Sequence, residues 1–122
     1  MKKLILTIPS RPKRKCPIIV EANALQQIPD LIGSLLQVDG VVILYDKTLE
    51  KIANDIAALI PHAQRIAVPS GEASKSLQQV ERIVEDMLLK GATRQYVLIN
   101  VGGGMLTDLG GFIASVFMRG MR

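Results

Sequence analysis

The residues best suited to chemistry lie together near the end of this 122-residue chain. The segment 99–112 reads INVGGGMLTDLGGF, and Arg119 and Gly120 follow it. Three consecutive glycines between an apolar strand and a helix leave backbone N–H groups open to an anionic ligand, because no side chain covers them. A simple turn rarely requires three glycines, so the run favours a phosphate-binding turn over a purely structural one.

Generic motifs do not narrow the ligand further. The run departs from the dinucleotide fingerprint G-x-G-x-x-G, because Thr107 stands where the last glycine is required. It is not a P-loop either, since no Gly-Lys-Ser/Thr follows. The pattern therefore indicates a pyrophosphate-like anion and nothing more specific.

Four charged side chains each have a structural and a functional interpretation. Asp46 directly follows the apolar run 41–45, and it either caps the next helix or binds a ribose. Asp108, which we expect in the first turn of the last helix, either complements the helix dipole or accepts hydrogen bonds from ribose or substrate hydroxyls. Lys75 either neutralises a phosphate or is an ordinary surface lysine. Arg119 suits a helix C-terminus, and it could also clamp an anionic substrate.

The elements that must position these residues alternate between strand and helix. Asn23 is predicted to cap a short helix that reaches Leu35 and is interrupted at Pro29. Ser76 and Gln79 fit a capping box. Gly91 fits the position just after a helix. Apolar runs predict strands at 3–8, 17–20, 41–45, 65–68 and 96–101, and helical spacing predicts helices over 49–59, 77–88 and 106–117.

This order predicts an α/β fold with a Rossmann-like parallel sheet, flanking helices and an N-terminal β-hairpin. Ligands of such sheets bind beyond the carboxyl ends of the strands, where the loops 46–48, 70–75 and 102–108 fall. The basic residues between the first two strands favour a solvated hairpin loop over a nucleic-acid-binding arm. They are Arg11, Lys13, Arg14 and Lys15.

Composition restricts the class of protein. A chain with 48% hydrophobic and 21% charged residues is expected to form one globular domain. An aromatic content of 3% and a net charge of +4 argue against a nucleic-acid partner. The lone Cys16 excludes an internal disulfide and a cysteine-cluster zinc site, and it is not expected to form a Cys–His pair with the lone His62. With neither a signal peptide nor a membrane span evident, a cytoplasmic location without a membrane partner is expected.

Three motifs taken together resemble the 3-dehydroquinate synthase family. They are PSGEASKS at 69–76, GGGMLTDLGGFIAS at 102–115 and MRG at 118–120. Their order and spacing are similar to those of the N-terminal, NAD-binding domain of that family. The related iron-dependent alcohol dehydrogenases typically carry a lysine three residues after the aspartate, where this chain has Gly111. The resemblance therefore favours the sugar-phosphate cyclase branch of the superfamily.

The resemblance implies a carbon–oxygen lyase that uses NAD and a divalent metal, zinc or cobalt. Such an enzyme converts 3-deoxy-D-arabino-heptulosonate 7-phosphate into 3-dehydroquinate and phosphate, in the shikimate pathway of aromatic amino-acid biosynthesis. It implies that Arg119 contacts the phosphorylated substrate. The positions that match NAD-binding residues of the family are Asp46, Thr48, Ser70, Gly71, Glu72, Ala73, Ser74, Lys75, Gly103, Gly104, Met105 and Asp108.

The resemblance also implies that residues 1–122 are the NAD-binding domain of a longer, two-domain, homodimeric enzyme. The family's metal ligands, a glutamate and two histidines, lie in a helical C-terminal domain. Residues 1–122 are therefore expected to contain no catalytic or metal-ligating residue and to be inactive alone. Two alternatives stay open, namely another sugar-phosphate cyclase and a stand-alone nucleotide-binding module.

Overall fold

The computed structural model of the chain describes residues 2–8 and 14–122. Of the residues predicted to form a basic loop, Arg11 and Lys13 lie outside the described residues, whereas Arg14 and Lys15 belong to the second strand and not to a loop. The strands are β1 (Lys2–Ile8), β2 (Arg14–Val20), β3 (Gly40–Asp46), β4 (Gln64–Val68) and β5 (Tyr96–Val101), and the α-helices are α1 (Ile28–Gly33), α2 (Glu50–Leu59), α3 (Leu77–Leu89) and α4 (Gly104–Val116).

The strands form two separate sheets. β1 and β2 make an antiparallel hairpin in which Ile5 lies opposite Pro17. The other three strands are parallel, in the order β4-β3-β5. Asp46 is in register with Val68, and Tyr45 with Val101, so the three strands end at one edge. The predicted α/β fold with a parallel sheet and an N-terminal hairpin is confirmed.

The parallel sheet has an apolar cluster on each face. Helices α3 and α4 cover one face, where Ile83, Leu106 and Ile113 are fully buried. Helix α2 covers the other face through Ala53 and Ile56. Side chains of β3 alternate between the two clusters, and residues 41–45 are all buried. Burial on both faces explains why this strand has a continuous apolar sequence without alternation.

The region before the parallel sheet differs from the prediction. Asn23 adopts a left-handed backbone with φ 61° and its side chain makes no capping hydrogen bond. The prediction of Asn23 as a side-chain cap is therefore wrong; asparagine tolerates this conformation at a turn. The 3-10 turn Ala24–Gln27 precedes α1, with Pro29 in the first turn of α1, so the expected interruption is confirmed. Helix α1 ends at Gly33 and does not reach Leu35.

The caps of α3 follow the prediction more closely. Ser76 Oγ accepts a hydrogen bond from the Gln79 backbone N–H at 3.2 Å. Gln79 Oε1 accepts from Arg82 Nε at 2.9 Å. The side chain of Gln79 therefore bonds within the helix and does not complete the capping box with Ser76. Gly91 has φ 80°, the left-handed conformation that follows a helix C-terminus.

Helix α4 approaches β5 so closely that one position requires glycine. A Cβ atom placed on Gly110 would lie far inside van der Waals contact with Asn100 Oδ1. That oxygen is buried and has no hydrogen-bond partner among the described residues. The next residue, Gly111, has open space around its Cβ position. Gly110 therefore lets α4 lie against the Asn100 amide, whereas Gly111 does not contribute to this contact.

We expect Gly110→Ala to lower the free energy of unfolding by about 1–3 kcal/mol, the usual range for overpacking a core contact. Combining it with Asn100→Ala should recover most of the loss, because the double variant removes the atom that the new methyl group meets. Gly111→Ala is the matched control and should stabilise the helix by about 0.5–1 kcal/mol. Urea denaturation followed by circular dichroism measures all four proteins, and equal stabilities for the two alanine variants would contradict the proposed contact.

Candidate functional site

The parallel sheet has a topological switch point, because the connections after β3 and after β5 run to opposite faces of the sheet. After β3 the chain turns to α2 on one face, and after β5 it turns to α4 on the opposite face. The loops that follow these neighbouring strands therefore diverge. In open parallel sheets, ligands bind in the crevice outside the carboxyl ends at such a point. Here Asp46 ends β3, and 102–104 follow β5, so both lie where such a crevice is expected.

The three glycines of the turn have two different roles. None of them has a positive φ, so backbone conformation alone does not require glycine. A Cβ atom on Gly102 would lie 2.7 Å from Leu106 Cβ, which makes that glycine a packing requirement. At Gly103 and Gly104, no atom of the described residues lies within 4 Å of the Cβ position. These two residues present bare backbone to open space, as a close-approaching ligand requires.

The turn leads directly into a helix N-terminus suited to an anion. Thr107 N–H donates to Gly103 O at 3.0 Å, the first hydrogen bond of α4. The preceding N–H groups have no acceptor within the helix, and the first turn contains no acidic residue. Thr107 Oγ1 donates at 3.2 Å to the Gly103 and Gly104 carbonyls, which steadies the turn. The side chain of Met105 packs partly against the core, so its backbone N–H, and not its side chain, is the group available to a ligand.

Asp46 combines capping with a partly free carboxylate. Its Oδ1 accepts from Thr48 N–H at 2.9 Å and from Thr48 Oγ1 at 2.7 Å, so Asp46 caps the 3-10 turn Lys47–Leu49 that precedes α2, and not α2 itself. Its Oδ2 accepts from Ser70 Oγ at 3.1 Å, which joins the loops after β3 and β4. The hydrogen bond from the Thr48 side chain, followed by that from its backbone, holds the pKa of Asp46 below its ordinary value. A carboxylate oxygen has two lone pairs, so Oδ2 retains capacity for a ligand hydroxyl.

The loop after β4 owes its shape to two residues. Gly71 has φ 104°, a conformation that side chains rarely adopt. Ser74 is buried, and its Oγ donates to Pro69 O at 2.6 Å, so its hydroxyl is used within the loop. Glu72 and Ala73 are exposed. Within this segment, Ser70 and Lys75 are therefore the residues that connect to other parts of the site.

An ion pair joins the end of this loop to helix α4. Lys75 Nζ lies 2.9 Å from Asp108 Oδ2, and this hydrogen bond raises the pKa of Lys75 above its ordinary value. Because α4 begins at Gly104, Asp108 lies in the second turn, and the expectation that it lies in the first turn is wrong. The carboxylate therefore faces Lys75 and does not cap the helix. Both side chains are exposed, so salt and ligands can compete with the pair.

An apolar groove of about 400 Å³ lies next to the ion pair, between α3 and α4. Leu77, Val80, Leu109 and Phe112 line it together with Lys75 and Asp108. None of its lining residues belongs to the glycine turn. The groove thus does not include the switch point at the carboxyl ends of β3 and β5.

Arg119 is not brought to the glycine turn. Helix α4 has 13 residues and is therefore about 20 Å long, with the turn at its start and Arg119 beyond its end. Met118, Arg119 and Gly120 have φ of 45°, 70° and 116°, three left-handed residues that end the helix sharply. Arg94 Nε donates to Gly120 O at 3.4 Å, next to the amino end of β5. The structure therefore separates Arg119 from the residues around the crevice.

Two further findings concern the described ranges 2–8 and 14–122. Within them, no group of three or more His, Cys, Asp or Glu side chains is arranged to hold a metal ion. None of their helices has the length and apolar character needed to cross a membrane.

Sequence reasoning missed the parts played by Thr107 and Asn100. In the sequence, Thr107 is a mismatch to the dinucleotide fingerprint. In the structure, its hydroxyl group supports the glycine turn. Asn100 stands in an apolar strand as a polar exception, and Gly110 lies ten residues further on. Their contact depends on how α4 folds back, which no local pattern reports.

Comparison with known proteins gives consistent matches. Residues 65–122 match the family model for the 3-dehydroquinate synthase N-terminal region. The 3-dehydroquinate synthase of Pyrococcus furiosus is 41% identical over 79% of this chain and 29% of its own length. That of Enterococcus faecalis is 34% identical over 98% of this chain and 34% of its own length. The chain thus spans about a third of the length of the curated relatives that it matches.

Solved structures share the fold. A 2-deoxy-scyllo-inosose synthase superposes with a TM-score of 0.81 at 20% identity, over 98% of this chain and 34% of that one. Another structure of a 2-deoxy-scyllo-inosose synthase, complexed with carbaglucose-6-phosphate, NAD+ and Co2+, gives a TM-score of 0.80 at 17% identity, over 98% of this chain and 33% of that one. At these identities the superpositions establish the shared architecture.

The dominant cause of the lowered Asp46 pKa can be tested with a matched pair of variants. Thr48→Val removes the side-chain hydrogen bond and should raise the pKa of Asp46 towards 3.8, whereas Thr48→Ser keeps the hydroxyl and should leave it low. Because the folded-state pKa is depressed, the stability from this contact is present above pH 3.8 and is lost as the pH falls through the folded-state value. Carbon-13 NMR of the carboxyl group measures both variants, and indistinguishable titrations would contradict the assignment.

Proposed function

The chain belongs to the 3-dehydroquinate synthase family, and we propose that it forms the NAD-binding domain of a two-domain enzyme of that family. The proposed reaction is the NAD- and metal-dependent conversion of 3-deoxy-D-arabino-heptulosonate 7-phosphate into 3-dehydroquinate, with release of phosphate. The observation that carries the proposal is the pair Gly103 and Gly104, whose bare backbone opens a helix N-terminus at the crevice between β3 and β5. NAD, when bound, supplies a reversible hydride acceptor.

The residues around the crevice fit the parts of a dinucleotide. The N–H groups at the start of α4 are proposed to bind the pyrophosphate, whose charge the helix N-terminus favours. Asp46 is proposed to accept hydrogen bonds from ribose hydroxyls through Oδ2, with Ser70 and Thr48 fixing its orientation. The hydrogen bonds that keep Asp46 ionised also preserve it as an acceptor.

Lys75 and Asp108 are proposed to adjust when the cofactor binds. Lys75 has a raised pKa and so remains protonated, which provides a positive charge in the loop between β4 and α3. To contact a phosphate, its ammonium must leave Asp108 Oδ2. That exchange frees the carboxylate of Asp108 to accept a hydrogen bond from the cofactor or the substrate. Glu72 and Ala73 complete the proposed contact segment.

Arg119 is proposed to contact the phosphate of the substrate, as the family motif implies. Since α4 separates it from the turn, its charge should affect the substrate and leave the cofactor unaffected. The zinc or cobalt ion, its glutamate and histidine ligands, and the catalytic residues are proposed to belong to the helical domain. Homodimer formation is proposed on the same family basis.

A second candidate is another sugar-phosphate cyclase. A 2-deoxy-scyllo-inosose synthase shares the fold of the present chain over nearly its whole length, so the fold is common to cyclases with different substrates. The two reactions differ in the sugar phosphate consumed. Assaying the complete enzyme with each sugar phosphate separates them.

Cofactor binding should depend on Gly103 and Gly104. Each alanine variant should keep the wild-type stability, because open space surrounds its Cβ position, yet weaken NAD binding at least about tenfold, or about 1.4 kcal/mol. Gly111→Ala and Arg119→Ala are matched controls that should bind NAD as the wild type does. Saturation-transfer NMR with the 122-residue chain detects affinities into the millimolar range. Equal binding of NAD by all the variants would contradict the proposed site.

The 122-residue chain alone should release no phosphate from 3-deoxy-D-arabino-heptulosonate 7-phosphate, even with NAD and zinc or cobalt present. The proposed reason is that metal ligands and catalytic residues belong to the other domain. A phosphate-release assay checks this, with a complete 3-dehydroquinate synthase as the positive control. Phosphate release above the background without protein would show that the chain is catalytically sufficient.

A further inference from the structure

The segment that carries Arg119 has a strained backbone. Met118 has φ 45° and ψ 41°, and Arg119 has φ 70°. Residues with a side chain seldom adopt this left-handed conformation, and they do so mostly as single residues, because Cβ approaches the following carbonyl oxygen. Such strain persists only where the surrounding structure fixes the backbone, and it is concentrated at ligand-binding and catalytic sites. Two strained residues in succession therefore require contacts on both sides of them.

Both ends of the strained pair are anchored. Before it, Phe117 is 2% exposed within the core, and its carbonyl accepts a hydrogen bond from Gly120 N–H at 2.8 Å. After it, Met121 packs partly against the core, and its N–H donates to a carbonyl of α4 at 2.7 Å. Leu98 N–H, on β5, donates to Arg122 O at 2.7 Å. The strained pair itself is exposed, so it is held by its neighbours and not by its own side chains.

Gln95 supplies a side-chain contact to this anchoring. Its Oε1 accepts a hydrogen bond from Arg122 Nη2 at 3.0 Å. Its own backbone is fixed on both sides, because its N–H donates to Thr93 Oγ1 at 3.2 Å and its carbonyl accepts from Asp39 N–H at 3.1 Å. Asp39 directly precedes β3, the central strand, so Gln95 is tied to the middle of the sheet. A fixed Gln95 therefore holds Arg122, which closely follows Arg119 in the chain.

The guanidinium group of Arg119 is available to a ligand. In the described ranges, no acidic side chain forms an ion pair with it. By contrast, the guanidinium groups of Arg94 and Arg122 each donate a hydrogen bond within the domain. A backbone that is already rigid lowers the conformational entropy lost when its side chain binds an anion. The contacts of the segment thus suit the presentation of Arg119 to an anionic ligand.

We propose that Gln95 is a positioning residue for Arg119. By holding Arg122, it keeps residues 118 and 119 in the left-handed conformation in which Arg119 meets the phosphate group of the substrate. This role rests on the proposed contact between Arg119 and that phosphate. Two consequences distinguish it from a general contribution to stability. Loss of the Gln95 amide should release the strained pair while the core stays intact, and it should affect the reaction only while Arg119 is present.

Hydrogen exchange and NMR of the 122-residue chain test the positioning. In Gln95→Leu, the Gly120 and Met121 amides should exchange at least about tenfold faster, because a hydrogen bond from a charged donor is lost. The intraresidue nuclear Overhauser effect between the amide and α protons is strong where φ is positive. It should be strong at residues 118 and 119 of the wild type and weaker in Gln95→Leu.

Two further variants make the exchange experiment specific. Gln95→Glu keeps an acceptor for Arg122, so its signals should be those of the wild type. Gln64→Leu is the matched control, since it removes a side-chain hydrogen bond to Lys90 O at the opposite edge of the sheet. It should leave the signals of residues 118–121 unchanged. The positioning role would be overturned by a wild type without positive φ at residues 118 and 119, or by equal exchange in Gln95→Leu and the wild type.

Steady-state kinetics of the complete enzyme test the connection to the substrate. Gln95→Leu should lower kcat/KM for the sugar phosphate at least about threefold, and Arg119→Ala at least about tenfold. The double variant should be no slower than Arg119→Ala, because Gln95 acts through Arg119. Additive losses would overturn the proposal. An Arg119→Ala enzyme as active as the wild type would contradict the phosphate contact itself, and the exchange measurements would still decide whether Gln95 holds the segment.

Discussion

The direct packing of α4 against β5 is the constraint on which the candidate site depends. Two positions without side chains permit it, since Gly102 makes room for Leu106 and Gly110 makes room for the Asn100 amide. With the helix held this close, its first N–H groups open at the carboxyl edge of the sheet. Gly103 and Gly104 then contribute differently, because their Cβ positions face open space and not the core. Within one glycine run, Gly102 therefore permits close packing, whereas Gly103 and Gly104 leave the backbone accessible to a ligand.

The polar side chains that follow β3 and β4 and the one on α4 differ in how firmly hydrogen bonds hold them in place. Asp46 has three hydrogen bonds from two residues, so its position and its charge are both determined before any ligand arrives. Lys75 and Asp108 have one exposed contact between them, which a charged ligand can replace. Asp46 is a rigid hydrogen-bond acceptor, and the Lys75–Asp108 pair can be replaced by contacts with a ligand. This combination suits a ligand that hydrogen-bonds to Asp46 at one end and carries a negative charge for Lys75 at the other.

Local patterns predicted those features that depend on neighbouring residues. The apolar run 41–45 predicted a central strand, and Ser76 and Gly91 predicted the limits of α3, because burial and capping act within a few residues. Asn23 failed as a cap, since its backbone became left-handed where the chain turns into the 3-10 segment. Arg119 lies in a motif that accompanies the glycine run in the sequence, yet the helix between them keeps the two apart. Sequence proximity of motifs did not reveal that separation, because it depends on the direction of α4.

The two sheets of this chain have differently protected strand edges. In the parallel sheet the outer side of β5 is partly occupied by the chain itself, since Leu98 N–H donates to Arg122 O at 2.7 Å. In the hairpin β2 carries Pro17, which prevents pairing at its centre. β1 has neither a covering segment among the described residues nor a proline in its sequence, and Leu4, Ile5 and Leu6 make it strongly apolar. An unprotected apolar edge favours uncontrolled aggregation unless a specific partner occupies it.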